Sequence, residues 1–189
     1  MAGFRFVLAL ALVFALSQAA FAADKKPVAS PGVGGAFSLV DGDGNNVTEK
    51  SWPGKFKLVF FGFTSCPEIC PVALDKIATA LNKMDAADVA RIQPLFITTD
   101  PARDKPEVVK AFVANFHKSI IGLTGTEAQI KAAEDTYKVY AVKSGSGKDY
   151  QIDHSGYIYF MSADDKMLAI LGSSSSADDI AAKIKMQMD

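Results

Sequence analysis

Cys66 and Cys70 are the only cysteines in the 189-residue chain, and Pro67, Glu68 and Ile69 separate them. Thiolate is the form of cysteine that attacks disulfides and binds metals. Two intervening residues mark the common redox pair. A third relaxes the loop, so the sulfurs can close a disulfide or spread to two corners of a metal site. Soft thiolates favour Cu(I), with Zn as a competitor. A purely structural disulfide is the plain alternative, but it closes so short a loop that its entropic contribution is small. Any third nitrogen donor must be His117 or His154, because the chain has two histidines. Two sulfurs and one imidazole form a three-coordinate set that Cu(I) accepts and that Cu(II) completes with a further ligand.

Hydrophobic patterning shows what must position these groups. Lys57 to Phe63 is an apolar run without alternation, as a central strand covered on both faces requires. It leads straight into the cysteines. Val72, Leu74, Ile77, Leu81 and Met84 then recur at helical spacing, and Leu95 to Thr99 reads as a second buried strand. Pro71 disfavours helical geometry at Cys70 and suits the first helical position, which places both sulfurs in the turn ahead of the helix body. The positive helix end favours thiolate there. Helices are expected from Pro106 to Phe116, capped by Asp104, and from a cap at Thr126 to about Lys138. Short strands follow at Tyr150 to Ile152, Tyr157 to Met161 and Met167 to Leu171, the last two joined as a hairpin, and a helix from Ala177 to Met188 closes the chain. Upstream, Phe37 to Val40 and Val47-Thr48 flank a Gly- and Asn-rich turn, an expected β-hairpin.

An α/β core followed by an antiparallel hairpin and a terminal helix is the element order of a thioredoxin-like fold, here with an N-terminal β-hairpin extension. In that fold the loop around His154 faces the cysteine turn. His117, near the end of a surface helix where a cation suits the dipole, reads as an ordinary surface residue. Thioredoxins place a proline opposite their cysteines, but no proline follows Pro106. Asp153 and His154 take that place instead.

Composition narrows the function. Twenty Lys and Arg against 21 Asp and Glu give a net charge of −1, so no basic field attracts nucleic acid. Met1 to Ala22 has a positive start at Arg5, an apolar run and Ala20-Phe21-Ala22, the parts of a secretory signal peptide. An uncleaved anchor is the alternative. Residues 23–36 read as a flexible tether and 37–189 as the working domain. Export puts that domain where cysteines can oxidise.

Three stretches carry a family resemblance: Phe61-Gly-Phe-Thr-Ser-Cys66-Pro-Glu-Ile-Cys70-Pro71, Thr99-Asp-Pro-Ala-Arg-Asp104 and Asp153-His154-Ser155. In this order they resemble the Sco (SenC) copper-binding proteins that assist assembly of the CuA centre of cytochrome c oxidase. Ser65 stands where many members have His, and Glu68 where Asp is usual. The resemblance implies copper as Cu(I) or Cu(II), with Cys66, Cys70 and His154 as ligands and Asp153 as an outer partner of the histidine. It implies a periplasmic metallochaperone, soluble or anchored, rather than an enzyme. Its partners would be the CuA-bearing subunit of cytochrome c oxidase and other copper chaperones. A thiol-disulfide reductase acting through Cys66 and Cys70 on the partner's cysteines, or a redox or copper sensor, uses the same residues. Peroxiredoxins share the fold, but Phe63 occupies the place of their Thr or Ser. Met161, Met167, Met186 and Met188 read as packing residues rather than thioether ligands.

Overall fold

A computed structural model describes residues 32–147, 149–172 and 174–188. The expected signal segment and most of the tether lie outside these residues.

Phe56–Gly62 forms β3, whose residues past Phe56 are all buried. Along it Leu58 and Phe60 face one apolar cluster while Val59 and Phe61 face another, the period-two alternation of a strand covered on both sides. On one side Ile69–Lys83 (α1), Pro106–Val113 (α3) and Ala177–Met188 (α5) supply Leu74, Val109 and Ile180. On the other, Glu127–Tyr137 (α4) supplies Ile130 and Tyr137. A short helix, Ala86–Ala90 (α2), precedes β4 (Ile92–Thr98).

The sheet has seven strands in the order β2-β1-β5-β4-β3-β8-β9, with β1 at Ser38–Asp41, β2 at Asn46–Thr48, β5 at Ile121–Thr124, β8 at Ile158–Met161 and β9 at Met167–Leu171. β3, β4 and β5 run parallel, while β8 is antiparallel to β3 and β9. This is the thioredoxin-like arrangement, extended by the β1–β2 hairpin. Its turn forms as expected, with Asp41 Oδ1 accepting from the Asp43 and Asn45 amides at 2.9 Å. A separate two-stranded sheet pairs β6 (Ala141–Ser144) with β7 (Gln151–His154).

Several expectations change. Asp104 is not a helix cap: Lys105 takes the cap position, Pro106 opens α3, and the Asp104 carboxylate turns inward, fully buried. α3 stops at Val113 rather than Phe116. Thr126 caps α4 as expected, its hydroxyl accepting from the Gln129 amide at 3.2 Å. β5 and β6 were not anticipated. Each has four residues, and Gly122 interrupts the apolar run of β5. That glycine is required, because a Cβ there would lie 2.8 Å from the Val109 carbonyl of α3. Met161, Met167 and Met188 are buried in the apolar clusters, which bears out packing for them, whereas Met186 is exposed and does not pack.

Candidate metal centre

β3 ends at Gly62 and the chain turns through Phe63, Thr64 and Cys66 into α1. Glu68 is the cap residue but its side chain makes no capping hydrogen bond. The sulfur of Cys66 does this instead, accepting from the Cys70 amide at 3.4 Å and from the Glu68 amide. Cys70 is the second residue of the helix, not part of the preceding turn. Pro71 is the third, a first-turn position where its missing N–H costs nothing. Gly62 makes room for this packing, since a Cβ at that position would stand 2.7 Å from the Cys70 sulfur.

His154 is the last residue of β7 rather than part of a loop. Strand alternation points Ile152 and His154 inward and leaves Gln151 and Asp153 exposed. Asp153 therefore lies on the opposite face from the imidazole it was expected to support. The Nδ1 hydrogen donates instead to the Ser155 carbonyl at 3.1 Å, so the Nε2 lone pair faces the Cys70 sulfur at 3.4 Å. Ser155 is itself fixed by Tyr140, whose carbonyl accepts from the Ser155 amide at 2.9 Å. Phe60 and Phe63 meet the imidazole at 6.3 and 5.8 Å between ring centroids.

The two sulfurs and an imidazole nitrogen lie within 4.8 Å of one another. Cys70 is fully buried and Cys66 is 9% exposed, so Cys66 is the sulfur nearer solvent. The pair is electrostatically unequal. The Cys66 thiol is lowered to about 5, first by a hydrogen bond from Cys70 and then, against the cost of burial, by the Cys70 and Glu68 amides. The Cys70 thiol is pushed far up by the same hydrogen bond and by burial. Thiolate and imidazole donors so placed suit a soft ion of low coordination number.

His117 is not part of this group. It lies past the end of α3, half-buried, with Nδ1 accepting from the Ser119 amide at 3.2 Å. Burial, and after it Lys118, lowers its pKa, so the expected cation at a helix end is corrected to a ring that favours the neutral form.

The residues that hold the donors in place went unrecognised. Asp104 accepts from the Thr64 amide at 2.9 Å and from the Thr64 and Thr98 hydroxyls at 2.5 Å, fixing the loop that leads to Cys66. The Asp104 motif was visible in sequence, but its reach to Thr64 required the fold.

The SCO1/SenC family model matches residues 25–189. The chain is 45% identical over 145 residues to the mitochondrial protein Sco1 of Saccharomyces cerevisiae, covering 75% of this chain and 49% of that protein. It spans 45–61% of the length of the Sco relatives of the two yeasts and Arabidopsis thaliana. The copper-bound crystal structure of yeast Sco1 is 42% identical with a TM-score of 0.76, over 84% of this chain and 89% of that one. That of Arabidopsis thaliana ScoI with copper bound is 38% identical with a TM-score of 0.78, over 82% of this chain and 98% of that one. BsSco, a member of the Sco family of cytochrome c oxidase assembly proteins in which a disulfide switch was identified, is 27% identical with a TM-score of 0.67, over 85% of this chain and 95% of that one. With the family model matching residues 25–189 and these structures covering more than four fifths of it, this chain belongs to the SCO1/SenC family.

Proposed function

We propose that this protein is an exported copper chaperone that holds copper through Cys66, Cys70 and His154 and passes it by ligand exchange toward the CuA-bearing subunit of cytochrome c oxidase. The observation that carries the reading is the convergence of three donors within 4.8 Å, with the imidazole tautomer set by Ser155. The copper-bound relatives support the metal, and the description of BsSco supports the assembly role. Copper is cargo here. The site supplies two sulfurs and a nitrogen, and an incoming thiolate can displace Cys66 first because it lies nearer solvent. Anaerobic Cu(I) titration tests the reading: wild type binds one equivalent, and Cys66→Ser, Cys70→Ser and His154→Ala each weaken binding by more than about tenfold. Wild-type affinity in His154→Ala would overturn it. The signal-like segment of residues 1–22 supports placement on the periplasmic side, and the mature N-terminus of exported protein checks it.

The inequality of the thiols favours a second activity on the same pair. The Cys66 thiolate attacks one sulfur of a partner disulfide, forming a mixed disulfide and releasing the partner's other sulfur as thiolate. Cys70 then gives its proton to the facing His154 Nε2, 3.4 Å away, and attacks the Cys66 sulfur, releasing the second partner thiolate. Two electrons pass to the partner and a Cys66–Cys70 disulfide remains, which removes both sulfurs from copper binding. Reduction of an oxidised CuA fragment by copper-free protein tests this. No electron transfer would exclude it.

A further inference from the structure

The two halves of the donor group belong to different sheets. Cys66 and Cys70 follow β3 of the seven-stranded sheet, whereas His154 ends β7 of the two-stranded one, and no ladder joins the two sheets among the described residues. Backbone pairing therefore reaches the imidazole only indirectly, through Ile158 of β8, four residues past His154, which pairs with Phe60 of β3. Side chains set its final approach to the sulfurs.

Tyr150, immediately before β7, makes the polar connection. It is 6% exposed, and its hydroxyl donates to Asp100 Oδ1 at 2.6 Å. Its carbonyl accepts from Arg103 Nη1 at 3.1 Å. The ring carries the Arg103 guanidinium at 3.8 Å and the Lys143 ammonium at 3.5 Å from its centroid. Arg103 is also ion-paired to Asp100. The turn that bears these residues is fixed to the main sheet. The Thr99 amide donates to the Gly62 carbonyl at 2.7 Å, and the Thr124 hydroxyl to the Asp104 carbonyl at 2.6 Å. One turn thus grips Thr64, two residues before Cys66, through Asp104, and Tyr150, four residues before His154, through Asp100 and Arg103.

We propose that Tyr150, locked by Asp100 and Arg103, is the positioning residue that sets His154 against the cysteine pair and thereby tunes the grip on copper. The proposal rests on the three-donor reading above. Ile152 also anchors the hairpin by burial, so loss of the tyrosine hydroxyl loosens the imidazole without releasing it.

Tyr150→Phe is the informative variant because it keeps the ring between its two cations and removes only the hydroxyl. In reduced, metal-free protein the His154 ring resonances shift and broaden, while those of His117, the other histidine, stay in place. Competition with a chromophoric Cu(I) chelator shows affinity lowered roughly tenfold, as for loss of an outer-sphere partner. In a His154→Ala background the same change produces no further loss, because the group it positions is gone. Unmoved His154 signals, unchanged affinity, or an equal loss in both backgrounds would overturn the proposal, the last by showing a general loosening of the domain. Wild-type affinity in His154→Ala alone would instead overturn the three-donor reading, and the metal-free ring signals would still decide whether Tyr150 holds His154.

Discussion

The two ends of β3 treat polar groups in opposite ways. Near its start, Lys57 is buried within the sheet, its side chain 3% exposed, and its ammonium is matched to Asp165 at 2.6 Å and the Ala163 carbonyl at 3.4 Å in the turn between β8 and β9. That end is closed, with charge answered by charge. Past its finish, two sulfurs and an imidazole converge on one another, and the strong polar contacts are set one layer out, at Asp104, Asp100, Arg103 and Tyr150. A structural site uses its polar atoms on each other. A binding site keeps its donors for cargo and assigns the holding to neighbours, whose hydrogen bonds fix direction without consuming lone pairs.

The largest effects are expected where the outer layer is removed. Asp104→Ala leaves three donors from Thr64 and Thr98 without their acceptor and should lower stability by about 3–5 kcal/mol, with copper affinity falling as well. Asp104→Asn keeps the shape and should recover part of both. Urea denaturation beside Cu(I) competition measures the pair of effects. Lys57→Ala should lower stability by about 3 kcal/mol by stranding Asp165, which can still reach water, and should leave copper affinity at the wild-type value. If Lys57→Ala also weakened copper binding, the two ends would be coupled and the contrast between them would fail. Gly62→Ala stands between the two regions. Its methyl group would press on the Cys70 sulfur and the Phe96 ring, costing about 1–3 kcal/mol, and would displace a donor directly. Unchanged stability there would mean that Cys70 can move aside freely.

The same contrast explains what could be read in advance. β3 announced itself because a strand covered on both faces is apolar along its centre, here Leu58 to Phe61, and α1 because its buried residues recur at the helical period. The donors were legible through scarcity, since two cysteines and two histidines leave few combinations. The outer layer was not, because its contacts span long separations: 40 residues from Thr64 to Asp104 and 50 from Asp100 to Tyr150. No local period encodes such pairs. Asp104 before a proline looks like a helix cap, and only the packed turn shows that its carboxylate faces inward. Asp153 was misassigned for the reverse reason. The family resemblance implied support for His154, but a strand sends neighbouring side chains to opposite faces.

The pH dependence of the reduced, metal-free domain separates the two sulfurs themselves. Cys66 is lowered from 9.0 to about 5 on folding, so its contribution is fully present above the unfolded value and is lost as pH falls through about 5. Cys70 is shifted upward, so above the ordinary thiol range the unfolded chain ionises it while the folded one resists, and stability declines again. Stability should therefore rise from about pH 5 to about pH 9 and fall beyond, and Cys66→Ala should flatten the rise. Alkylation gives the sharper view. At pH 6 iodoacetamide should label Cys66 and spare Cys70, because the first sulfur is thiolate near solvent and the second is a buried thiol. Equal labelling of both, with a midpoint near 9, would show that the Cys70 thiol and the Cys70 and Glu68 amides do not hold a charge on Cys66. The helix end would then have positioned the sulfur without activating it.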